Sequence, residues 1–153
     1  MNWTETRNSN VNIKNVKLGA NVTILDNVNI EASKVDSVQI GKYSIIKENS
    51  TIRLPSNGVS NIGAYVIIGN NCDIRSLNIG NRVMIEDGCV LNDGCVIYEC
   101  CLIKSNCIIP SKMIIPAYCE VGGVPGKDFY IKPLNSSFKK VIEYEAKYLN
   151  IHY

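Results

Sequence analysis

The chain has 153 residues, 46% of them hydrophobic, and a net charge of +2 from 16 basic and 14 acidic side chains. So even a balance, with no basic run or aromatic-interleaved basic patch, excludes an electrostatic surface for nucleic acid or anionic membrane. The length suits one domain, no apolar stretch approaches the roughly 20 residues of a membrane span, and the polar segment 1–10 lacks a secretory signal's apolar core. We therefore expect a cytoplasmic chain that neither inserts into a membrane nor binds nucleic acid.

Residues 1–17 follow no regular period, and we expect Val11, Ile13 and Val16 to form a capping strand over the unit that follows. From Leu18 an apolar anchor recurs every sixth residue, at Ile24 and Ile30. A ten-residue step then leads to Ile40, Ile46 and Ile52, with a short loop expected within 32–39. A second ten-residue step, through the turn-forming Leu54-Pro55-Ser56-Asn57-Gly58, leads to Ile62, Ile68 and Ile74. A five-residue step marks a tightened corner before Ile79. After it the period holds through Ile85, Leu91, Ile97, Ile103, Ile109, Ile115 and Val121.

A period of six fits neither an amphipathic helix, at 3.6, nor a half-buried strand, at 2; it marks a repeat architecture. Most anchors are isoleucine, and β-branched side chains suit a packed strand surface. A second, smaller residue falls four positions after each anchor: Val22, Val28, Ser44, Ser50, Val83, Cys89, Cys95, Cys101, Cys107 and Cys119 are examples. Each unit thus offers one large and one small inward side chain, and three units make one triangular turn. The pattern resembles the hexapeptide repeat, which implies an all-β, left-handed parallel β-helix over residues 18–126. Asn21, Asn27, Asn49, Asn71, Gly88, Gly94 and Asn106 lie three after an anchor, where sharp corners need left-handed backbone. Gly19, Gly41, Gly63, Gly69, Gly80 and Gly122 follow their anchors directly, where close backbone approach is expected.

The seven cysteines are odd in number, form no C-x-x-C pair and have no histidine near them. All but Cys100 keep the small inward register, so we read them as buried hydrophobes rather than disulfides or a metal site. Gly122-Gly123-Val124-Pro125-Gly126 breaks the repeat. Residues 127–153 then form a linker and a C-terminal α-helix. Phe138, Val141, Ile142, Tyr148 and Leu149 share one helical face, and Asn135, Ser136 or Ser137 supplies the N-cap. The helix is expected to pack back along the coil; the rival reading is a free amphipathic helix awaiting a partner.

Proteins of the hexapeptide-repeat class are best known as acyltransferases and gamma-class carbonic anhydrases, which implies a histidine base or three histidines around a metal. This chain has one histidine, His152, close to its C-terminus. Glu86, Asp87 and Asp93 lie near one another in sequence but are expected as solvated surface. The inward thiols lack a neighbouring base. We expect no catalytic residues, no cofactor and no metal.

Three stretches go beyond the generic repeat: Tyr43 to Pro55, Ile79 to Val90, and Cys95-Val96-Ile97-Tyr98-Glu99-Cys100-Cys101 on through Ile109-Pro110, Ile115-Pro116 and Val124-Pro125-Gly126. Together with Tyr144 and Tyr148 in the helix, these resemble the dynactin subunit 5 family over about 39–149, leaving 1–38 matched only as repeat. The resemblance implies a non-enzymatic structural or adaptor subunit of the dynactin pointed-end complex, supporting dynein-driven transport and linked indirectly to membranous cargo. It implies as neighbours dynactin subunit 6, the pointed-end actin-related protein and the p-sixty-two subunit, in a cytoskeleton-associated setting. Two alternatives stay open: a divergent acyltransferase or gamma-carbonic-anhydrase-like homotrimer, and a binding scaffold outside dynactin. Aromatic and arginine side chains favour interfaces, so Tyr43, Tyr65, Arg82 and Tyr98 are candidate exposed partner contacts, with the loop that holds Pro55 and Asn57.

Overall fold

The computed structural model describes residues 4–6, 11, 13–32, 37–54, 59–76 and 78–153. Its short strands wind into a left-handed parallel β-helix of about five turns with three flat faces. The first face stacks Val16–Leu18, Val38–Ile40, Ser60–Ile62, Asn78–Ile79, Val96–Ile97 and Ile114–Ile115. The second stacks Val22–Ile24, Ile45–Ile46, Ile67–Ile68, Met84–Ile85, Leu102–Ile103 and Cys119–Gly122. The third stacks Asn29–Glu31, Thr51–Arg53, Asp73–Ile74, Val90–Leu91 and Ile108–Ile109.

Registration puts anchor over anchor. Leu18, Ile40, Ile62, Ile79, Ile97 and Ile115 form one column. Ile24, Ile46, Ile68, Ile85, Ile103 and Val121 form the next. These columns line a single continuous core together with the small residues, and Ile24, Ile46, Ile68 and Ile85 are wholly buried. At roughly 1.5–3 kcal/mol for each buried aliphatic side chain, they supply the main stabilisation. The serines among the small residues are hydrogen-bonded. Ser44 Oγ donates to the Gly63 carbonyl at 2.9 Å and accepts the Val66 N–H at 3.1 Å, and Ser50 bonds Gly69 and Cys72 in the same way.

The corners hold left-handed backbone at every asparagine and glycine expected there, with φ from 58° at Asn71 to 75° at Gly94. The glycines that follow the anchors sit tight against the next turn. A Cβ on Gly41 would lie 2.6 Å from the Gly63 carbonyl carbon, and one on Gly80 would lie 2.6 Å from the Glu99 nitrogen. The inward cysteines are free thiols in the core, and Cys100, out of register, is buried at a corner.

The ends differ from expectation. The strand over the first turn is Thr4–Thr6, paired with Val22–Ile24; Val11 and Ile13 pack against the core, and Val16 begins the first coil strand. Residues 33–36, in the first expected loop, lie outside the described residues. At the other end, the segment read as a linker contains a strand, Tyr130–Pro133, antiparallel to Cys119–Gly122. Its side chains are all exposed, so it carries no alternation that the sequence could show. The α-helix, Phe138–His152, follows. Ser137 is its N-cap residue and makes no side-chain capping bond; the turn before it is held by the Asn135 side-chain oxygen, which accepts the Ser137 N–H at 2.9 Å.

Candidate interaction surfaces

The outward residues of the second face are apolar where those of the first are polar: Ile45, Ile67 and Met84 against Gln39, Asn61 and Asn78. The helix lies on that apolar face. Its Ile142 and Ala146 are fully buried there in a second cluster with Leu25, Ile45, Tyr65 and Ile67, flanked by Leu149. The face expected from the sequence therefore needs correction. Ile142 and Leu149 do point at the coil, but Phe138, Val141 and Tyr148 are exposed. The coil surface is already bulky, so the helix presents the small Ala146 for close approach.

Three of the expected partner contacts are consumed by this docking. Tyr43, Tyr65 and Arg82 stack in successive turns at one corner, each with positive φ near 58°. The Tyr43 and Tyr65 rings are parallel, with centroids 5.7 Å apart. The Arg82 guanidinium stands 5.2 Å from the Tyr65 centroid, and Lys147 of the helix stands 5.5 Å from it. Arg82 also pairs with Glu143 of the helix at 3.4 Å. Asn150, near the helix end, donates to the Tyr43 carbonyl at 2.8 Å and accepts from Thr23. Tyr65 is only 7% exposed, and Tyr43 and Arg82 are half-buried, so their expected exposure does not hold. Glu143, Lys147 and Asn150 escaped the sequence reading because a latch between distant segments leaves no local pattern.

Tyr98 remains open. It is 49% exposed and sits on the first face directly after an anchor, where the four preceding turns hold Gly19, Gly41, Gly63 and Gly80. Ile114, 60% exposed, and Pro116 lie in the next turn of the same face, so the apolar patch continues. That change from glycine to tyrosine was the available sequence signal for the patch. Pro55 and Asn57 lie outside the described residues.

The polar groups are tied to neighbouring turns. Glu86 accepts the Ser105 N–H at 3.0 Å and lies 3.5 Å from Lys104 Nζ, while Asp87 accepts the Asn70 N–H at 2.8 Å. His152 is exposed on the helix, its ring 4.2 Å from that of Tyr148. Burial pushes the Cys95 thiol up to about 12 and those of Cys101 and Cys107 up to about 11, which holds them protonated and poorly nucleophilic. Among the described residues no three His, Cys, Asp or Glu side chains are placed to hold a metal, and no helix is long and apolar enough to cross a membrane.

Known proteins fit this picture. Solved structures share the fold, two of them over nearly the whole chain. A hexapeptide transferase family protein from Anaplasma phagocytophilum superposes with a TM-score of 0.78 at 19% identity, covering 98% of this chain and 92% of that one. A putative acetyltransferase from Bacillus cereus gives 0.59 at 13% identity, covering 99% and 94%. At such identities the likeness concerns the coil and not its chemistry. No curated protein sequence matches the chain. The family model for dynactin subunit 5 matches residues 4–148, taking in the N-terminal turns that the sequence reading had matched only as repeat. With that match running from the first described strand into the docked helix, the chain belongs to the dynactin subunit 5 family.

Proposed function

We propose that the chain is a non-enzymatic structural and adaptor subunit of a dynactin pointed-end complex, cytoplasmic and cytoskeleton-associated, supporting dynein-driven cargo transport. The observation that carries this reading is the family match over residues 4–148. Two features support it. The Glu86 and Asp87 carboxylates are engaged in holding turns together, and six of the seven thiols are buried. A rigid coil with flat faces contributes surface, which is what a scaffold subunit requires.

Its partners in this reading are dynactin subunit 6, the pointed-end actin-related protein and the p-sixty-two subunit, with membranous cargo reached through them. Tyr98, with Ile114 beside it, contacts one of them; half-exposed aromatic side chains on a rigid element are favoured anchors. The alternative, an acyltransferase or carbonic-anhydrase-like homotrimer, has only the fold in its favour.

A tagged pull-down from native lysate, read by mass spectrometry, tests the assignment. Recovery of a second hexapeptide-repeat protein together with an actin-related protein supports it. Tyr98→Ala is expected to lower that recovery roughly tenfold or more, as for an interface anchor worth about 2 kcal/mol. A partner-free homotrimer that holds metal or transfers acyl groups would discard it.

A further inference from the structure

The hydrogen bonds between turns follow one rule. The N–H of the residue after each anchor donates to the anchor carbonyl of the next turn: Gly80 to Ile97 at 2.8 Å, Asn92 to Ile109 at 3.1 Å, Tyr98 to Ile115 at 3.0 Å and Lys104 to Val121 at 2.8 Å. One turn further on, Ile109 and Ile115 have no turn above them, because their strands are the edges of the third and first faces. The residues after these two anchors are Pro110 and Pro116. Proline has no N–H, so each removes the donor that a further coil would use.

The second face is closed by other means. Its last coil strand, Cys119–Gly122, is paired with the antiparallel strand Tyr130–Pro133, which itself ends in proline. On the third face, the Ile108 N–H is taken by the Gly123 carbonyl at 3.1 Å. Phe129 and Met113 pack against the core at this end. A last turn that merely ran out would show none of this. The opposite end presents Val16–Leu18 on the first face, Asn29–Glu31 on the third and Thr4–Thr6 over the second as edge strands, with no proline among their residues.

From this we infer that Pro110 and Pro116 are the decisive elements of a built-in stop, beside the closing hairpin, which prevents the C-terminal end of the coil from accepting the first turn of a second copy. Without the prolines, the edges of the first and third faces at the two ends of one chain are complementary. The resulting head-to-tail contact is heterologous and does not close, so it produces filaments. Sealing this end directs partners to the side faces and to the opposite end. The inference rests on the hydrogen-bond pattern and stands whether or not the chain enters a dynactin complex.

The test is the full chain carrying Pro110→Ala and Pro116→Ala, followed by sedimentation velocity over a hundredfold range of concentration. The parent is expected to sediment independently of concentration, and the double variant to grow heavier as concentration rises. In the assembled state the new amides at 110 and 116 should exchange slowly with solvent. A folded double variant that sediments as the parent does, or assembles with both amides exchanging freely, overturns the inference. So does end-on association of the parent that protects Ile114. Should the double variant lose its circular dichroism, Pro116→Ala alone carries the same comparison.

Discussion

Lys112 holds φ at 62° while its N–H donates to the Asp93 carbonyl of the preceding turn at 3.0 Å. Tyr43, Tyr65, Arg82, Cys100 and Tyr118 repeat the arrangement at another corner, donating in turn to Ala20, Lys42, Ala64, Asn81 and Glu99. Left-handed backbone costs a non-glycine residue roughly 1–2 kcal/mol, and here the bond between turns holds the residue in place against that cost. Asparagine and glycine marked their corners in the sequence. Tyrosine, arginine and lysine did not, because what fixes them is a neighbour eighteen or more positions away. Exposed Lys112 is the clean place to test this. Lys112→Gly keeps the N–H, relieves the strain, and gives back about 0.5–1 kcal/mol through the freer unfolded chain. A net gain of about 0.5 kcal/mol is expected in chemical denaturation, with Lys112→Val falling below the parent. A Lys112→Gly variant less stable than the parent would show that the corner stores no strain.

Two elements needed tertiary context before they could be understood. The helix has apolar residues on more than one side, and its sequence did not say which side meets the coil. The decision lies with the second face, whose strands carry paired apolar residues such as Ile45-Ile46, Ile67-Ile68 and Met84-Ile85. Pairs of that kind suit a face covered on both sides, but they recur on the other faces at Val90-Leu91, Val96-Ile97 and Ile108-Ile109, so by themselves they do not locate the helix. Isolated fifteen-residue helices are marginal in water, so docking and helicity are coupled. Ala146→Arg places a long cation where there is no space. It is expected to remove the helical signal while the coil keeps its own thermal transition; loss of both together would show that the helix is integral to the coil. The closing hairpin has a different vulnerability. The Tyr130 hydroxyl donates to Glu120 at 2.7 Å, and this bond, aided by Lys132, holds the Glu120 carboxyl below its usual range. The same bond pushes Tyr130 up to about 12. A depressed carboxylate stabilises above its unfolded pKa of about 4.3, and that contribution disappears as pH falls through the folded value. A raised tyrosine stabilises below about 10 and loses its contribution as pH rises through the folded value. Amide protection in the hairpin should therefore weaken in acid and persist into alkali. Tyr130→Phe should flatten both limbs, and an unchanged profile would remove the contact from the account.

At the scale of the whole molecule the repeat was the most legible feature, because a solenoid buries its core by stacking neighbours and every turn has to restate the same rule. Its ends were the least legible, since each is met only once. Solenoids usually fray from their ends, where a turn has a neighbour on one side only. Here the last turn is held by the hairpin, by Phe129 and by the Gly123 carbonyl, and the helix runs back from Glu143 beside Arg82 to Asn150 beside Tyr43 and Thr23. Such bracing ties the later turns to the earlier ones and predicts that the coil opens as a unit. Its own thiols report on this. Cys72 and Cys89 lie in the middle turns, Cys107 lies in the last, and all three are buried. Alkylation by iodoacetamide requires both access and a thiolate, and Cys89 and Cys107, buried and with their pKa values raised, meet neither condition until the core opens. Site-resolved mass spectrometry of the native chain should find Cys107 labelled at the same slow rate as Cys89, with partly exposed Cys119 reacting first. Labelling of Cys107 well ahead of Cys89 would mean that the C-terminal turn opens alone, and the bracing argument would fail with it.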